Sequence, residues 1–132
     1  MSVAGPVGYA FNRTRQTYLA TQLSVAGTYW SRLRGLMCSS AVNFGTGQGL
    51  WIVPSRGVHT LAMRFPIDVV YLNGDKVVVY MKENLKPWRL AAVQMRTSSV
   101  LELPGNSLRG TQTQVGDEIE IAVGRAPEVN KQ

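Results

Sequence analysis

The sequence predicts a mainly β protein: a compact single-domain β-sandwich or barrel with one or two short helices. Three observations lead there. Short runs rich in β-branched and aromatic residues recur at fairly even intervals, Gly, Pro and Asn-Gly punctuate them, and one stretch alone has convincing helical spacing. A chain of 132 residues buries roughly two-thirds of the surface its unfolded form exposes, enough for one core without staples. With 45% hydrophobic and 17% charged residues, the composition excludes disordered and fibrous classes. A single domain over residues 1–132 is expected, with loose ends at about 1–14 and 125–132.

The elements follow in order. Gln16 to Thr21, rich in Thr and Tyr, reads as a short strand. Thr28 can cap a helix reaching about Met37, because Leu33, Leu36 and Met37 share one face and Gly35 weakens it only slightly. Phe44 to Gly49 is a glycine-rich connector without the lysine and spacing of a nucleotide-binding loop. Leu50 to Val53 is a brief buried strand closed by Pro54, and Ser55-Arg56-Gly57 is turn material. Ile67 to Leu72 and Lys76 to Met81 form a hairpin through Asn73-Gly74, a pair suited to a tight turn. Ile67, Val69 and Tyr71 fall on one face of the first strand, and Val70 and Leu72 on the other, so the strand should be covered on both sides. Ser98 to Leu103 is a further strand ended by Pro104-Gly105, Asn106 to Gly110 suggests a short helical turn, and Glu118 to Val123 alternates as a half-exposed strand.

Charge is unevenly placed. The net charge is +6, yet the first acidic residue is Asp68, and everything before it is acid-free. That half carries Arg13, Arg15, Arg32, Arg34, Arg56 and Arg64, whose planar guanidinium groups suit bidentate binding of carboxylate or phosphate. An anionic partner is one reading. Pairing with later acids such as Glu102, Asp117 and Glu118 is the other.

His59 is the chain's single histidine. It could act as general acid or base with Asp68 holding its tautomer and Ser55 as nucleophile, but no nucleophile elbow or oxyanion hole surrounds Ser55. A hydrogen-bonded structural histidine is the plainer alternative. His59, Met63 and the lone Cys38 would make a soft set for copper(I) if folding gathered them, but their spacing groups no metal site, and no metal or cofactor is expected. Asp68 stands in a strand otherwise built for burial, so its carboxylate needs a partner, with Arg64 or Arg34 the natural choice. High basicity with Trp30, Trp51 and Trp88 raises single-stranded nucleic acid as a ligand, but no basic-aromatic alternation accompanies it, and nucleic acid is not the expected partner.

Arg34-Gly-Leu-Met37, Gly49-Leu50, Val58-His-Thr60, Met63-Arg-Phe-Pro-Ile-Asp68, Pro87-Trp-Arg89, Leu101-Glu-Leu-Pro-Gly105 and Val115-Gly-Asp117 together resemble a bacterial and archaeal family known as domain of unknown function 192. The resemblance runs from about Thr28 to Ile121. It implies a compact, mainly β domain and brings no established reaction, substrate or cofactor. Similar sequences often carry a cysteine where this chain has Ser55, which counts against thiol chemistry there. Many relatives also look exported, with a leader not found here.

The expectation is therefore a non-enzymatic β-domain in which Arg34, Arg56, His59, Thr60, Arg64, Asp68 and Arg89 line a pocket for a small anionic ligand or an acidic protein surface. A hydrolase using His59 with Asp68 is the rival, and single-stranded nucleic-acid binding the third reading. The start Met-Ser-Val-Ala-Gly-Pro lacks a basic cluster and a long apolar run, and one cysteine makes no internal disulfide. A cytoplasmic location without a membrane span is expected; oligomeric state is not encoded legibly.

Overall fold

The computed structural model describes residues 8–26, 45–55, 65–86 and 95–127. Its strands are β1 (Gly8–Asn12), β2 (Thr17–Ala26), β3 (Gln48–Ile52), β4 (Ile67–Leu72), β5 (Val78–Leu85), β6 (Ser99–Pro104) and β7 (Ile119–Val123). They form one seven-stranded sheet in the order β5-β4-β6-β3-β2-β1-β7. All neighbours are antiparallel except β2 and β3. The sheet curls into a half-barrel, and its two edges touch where Val77 bridges Glu118.

Alternation along each strand fills the inside. Ala10, Leu19, Leu23, Val70, Leu72, Val78, Leu101, Leu103 and Ile119 join one core with Leu108, drawn from strands all around the curl. Gly49 is small for a reason: a Cβ there would lie 2.9 Å from the Ala20 Cβ and 3.0 Å from Leu103 Cδ2. A second core of Leu50, Ile52, Ile67, Val69, Tyr71, Leu85 and Val100 lies on the outer face of β3, β6, β4 and β5. Each fully buried aliphatic side chain stabilises by roughly 1.5–3 kcal/mol. β4 is buried at all six positions, with its two faces divided as the sequence predicts.

Three local readings change. The strand β1 lies within the stretch expected to be loose. The Asn-Gly hairpin is not a two-residue turn: Asn73 N donates to Val77 O, Asn73 Oδ1 accepts from the N–H groups of Asp75 and Val77, and positive φ falls on Lys76 rather than Gly74. This three-residue connection delays β5 to Val78. Residues 106–110 form successive turns, Ser107 N to Pro104 O, Arg109 N to Asn106 O and Thr111 N to Leu108 O, instead of a helix. The helix expected at 28–37 lies outside the described residues. Among the described residues no helix is long and apolar enough to cross a membrane.

Candidate functional site

Of the seven residues proposed from sequence, Asp68 is the one among the described residues; Arg34, Arg56, His59, Thr60, Arg64 and Arg89 lie outside them. Asp68 is wholly buried. Its carboxylate accepts from three backbone N–H groups: Asn84 at 2.8 Å, Asn106 at 3.2 Å and Leu108 at 2.8 Å. Among the described residues these main-chain amides are the carboxylate's partners and offset the cost of its burial; Arg34 and Arg64, the partners inferred from sequence, lie outside the described residues. The bond to Asn84 sits at an irregularity in the β4–β5 register, where Asn84 has φ 51°. The bonds to Asn106 and Leu108 tie down the loop that places Leu108 in the inner core. Asp68 shares its face with Val70 and Leu72, and so points away from the outer face.

That outer face holds a different carboxylate. Glu102 is wholly buried in mid-β6, opposite Leu50 on β3 and Val69 on β4. Val100 and Tyr71, paired one step along the same face, belong to the outer core, and Tyr80 packs edge-on against Tyr71 at 5.0 Å. Sequence reading counted Glu102 as a partner for early arginines but not as part of a site. The signal was available: it interrupts the apolar run Val100-Leu101-Leu103 as Asp68 interrupts Ile67-Val69-Val70.

The strand ends frame this face. Ile52, ending β3, pairs with Val100, and Ile67, opening β4, pairs with Pro104. The β3–β4 connection therefore leaves from one end of β6 and returns at the other. Leu85, ending β5, lies beside Ile67, and Ser98, just before β6, donates its N–H to Leu72 O. Ser55 N donates to Ser98 O at the same end.

Charge separates in the same way. The described strands and turns carry eight basic and seven acidic side chains, whereas stretches 27–44, 56–64 and 87–94 hold Arg32, Arg34, Arg56, Arg64 and Arg89 and no acid. Two of the early arginines are already matched. Arg13 Nε meets Glu120 at 3.0 Å and Arg15 Nε meets Asp117 at 3.1 Å. Burial would raise the Asp117 carboxyl, but hydrogen bonds from Asn12, the Gln114 N–H and Arg15, with the charge of Arg15, hold it below its ordinary value. Glu120 is held low by the Arg13 hydrogen bond and then that from Tyr9, whose phenol is raised by donating to it. Among the described residues no group of three or more His, Cys, Asp or Glu could hold a metal ion.

Comparison with known proteins places these features. The chain is 28% identical over 117 residues to a UPF0127 protein of Thermococcus sibiricus, covering 85% of this chain and 73% of that one. A UPF0127 protein of Pyrococcus abyssi is 25% identical over 120 residues, covering 86% and 97%. A crystal structure of a protein of unknown function from Novosphingobium aromaticivorans shares the fold with a TM-score of 0.72 at 18% identity, over 89% of this chain and 84% of that one. The family described as DUF192, Uncharacterized ACR, matches residues 10–121; with its fold and its Leu101-Glu-Leu-Pro-Gly105 strand end in place, the chain belongs to domain of unknown function 192.

Proposed function

We propose that the protein is a cytoplasmic, non-enzymatic binding domain that holds a small anion, a phosphate or carboxylate, on the outer face of β3, β6 and β4. The observation that carries this reading is the charge separation: the described barrel is close to neutral, and the three stretches joining β2 to β3, β3 to β4 and β5 to β6 hold five arginines without an acid. A protein that needed these cations only for solubility has no reason to segregate them from its carboxylates. Arg34, Arg56, Arg64 and Arg89 supply guanidinium forks, and His59 and Thr60 supply further donors. Asp68 completes the candidate set, and among the described residues its carboxylate accepts from three backbone amides. A hydrolase using His59 with Asp68 is the alternative reading.

The test is an NMR titration of the intact chain with phosphate and with acetate. The His59 ring and the arginine Nε–Hε signals should move together, with a dissociation constant of about 1 mM or tighter. Replacing Arg64 by Ala should weaken binding about tenfold, as expected for one lost hydrogen-bonded charge contact. Signals that stay fixed across tens of equivalents of either anion end the proposal. Binding instead to a single-stranded oligonucleotide, falling steeply with added salt, would replace the small anion with a nucleic-acid backbone.

A further inference from the structure

The outer core covers β3, β6, β4 and β5; on β1 and β2 the outer face carries aromatic rings instead. Ala10, Leu19 and Leu23 turn inward, so alternation sends Tyr9, Phe11 and Tyr18 to the other side. Phe11 pairs with Tyr18 across the strands, and the Tyr18 ring meets Phe11 edge-on at 4.8 Å and Tyr9 at 5.8 Å. All three are half-buried, and none belongs to either core. Rings left part-open on a sheet face make a surface suited to a second chain. A piece of chain already lies there. After β7 the backbone leaves through Gly124, with φ 106°, and the Tyr18 hydroxyl donates to Pro127 O at 3.3 Å. In this strap Arg125 and Pro127 are exposed and Ala126 is half-buried, so a hydroxyl contact and little buried area hold it. The Tyr9 hydroxyl is engaged by Glu120 at 3.0 Å, which leaves Tyr18 as the tyrosine of this cluster that grips a crossing chain.

We propose that the outer face of β1 and β2 is a docking platform for an extended, proline-containing segment of a partner protein, and that the strap 124–127 occupies it until that segment displaces it. The contact between Tyr18 and Pro127 is the reason for this partner class. Aromatic surfaces bind proline-containing extended chains by ring contact and by a hydrogen bond to a main-chain carbonyl, and the fixed φ of proline lowers the ordering cost. The strap shows the hydrogen bond. Tethered a few residues from β7, it competes at an effective concentration on the order of millimolar. A partner segment long enough to cover Tyr9 and Phe11 as well gains ring contact that the strap lacks. Arg13 and Glu120 neutralise each other beside the rings at 3.0 Å, so the platform favours neither a strongly acidic nor a strongly basic partner.

The experiment titrates the intact chain with a synthetic peptide that repeats the strap sequence Gly-Arg-Ala-Pro, and with a twin carrying alanine for each proline. NMR follows the rings of Tyr9, Phe11 and Tyr18 and the amide of Ala126. The proline peptide should shift all three rings with a dissociation constant of about 1 mM or tighter. The Ala126 amide should move toward its unstructured position as the strap leaves. The alanine twin should bind about threefold more weakly. In Pro127→Gly, a change at an exposed position that loosens the strap, the proline peptide should bind about threefold more tightly than to the wild type. Rings that stay fixed in both proteins overturn the platform. Equal binding of the two peptides overturns the proline-containing partner, and ring shifts that leave the Ala126 amide in place overturn displacement of the strap.

Discussion

Two buried acids show how a single side chain organises this protein. Asp68 joins β4, β5 and the 105–112 loop through three main-chain hydrogen bonds. Asn in its place keeps one acceptor oxygen and no charge, so Asp68→Asn should cost about 2–4 kcal/mol in urea unfolding. Asp117 is the pH-sensitive counterpart. Its carboxyl is held below the ordinary value, so the stability it contributes is present above the unfolded carboxyl value of about 3.9 and is lost as pH falls through the lower folded value. Asp117→Asn should therefore be destabilised at pH 7, and the gap to the wild type should narrow below about pH 4 in unfolding curves taken across pH. At this scale the sequence was half legible. A lone acid inside an apolar run announces a burial problem, but nothing local says whether backbone amides or a distant cation solves it. Asp68 draws on Asn84, Asn106 and Leu108, all remote in sequence, and no local pattern announces these amides.

Among the elements, β4 was readable because both its faces are apolar and its flanks are punctuated. β5 was displaced because the side chain of Asn73, not the Asn-Gly backbone, builds the turn, and Lys76 accepts the left-handed φ. Asn73→Ala removes two of these bonds and should cost about 1–2 kcal/mol, measured by the urea midpoint. β1 escaped notice because five residues containing Gly and Asn give little β signal. Its glycine is nevertheless required: a Cβ on Gly8 would collide with the backbone oxygen of Ala122. Gly8→Ala should push β1 from β7 and cost about 1–3 kcal/mol in the same assay. The parallel pairing of β2 with β3 leaves no sequence mark, since a two-residue alternation is the same in either direction. The six proposed site residues outside the described stretches were chosen by residue type and charge, and Glu102, buried in mid-β6, was not among them.

At the largest scale, the described sheet is a half-barrel whose two edges meet at a thin seam. Val78 N donates to Asp117 O, Gly116 N to Val78 O and Ile119 N to Lys76 O, while β4 and β6 are paired over their full length. Hydrogen exchange should show the amides of Val78, Gly116 and Ile119 opening at lower free energy than those of Val70 and Leu101. Equal protection at both places would mean that the seam opens only by global unfolding. The pairing of β1 has a further consequence for biosynthesis. Its left-hand partner, β2, is translated immediately after it, but its right-hand partner, β7, emerges near the end, with Gly8 facing Val123. A nascent chain must therefore keep Tyr9 and Phe11 on an unzipped margin until that late segment leaves the ribosome, and premature termination before Ile119 would strand an adhesive, half-made sheet.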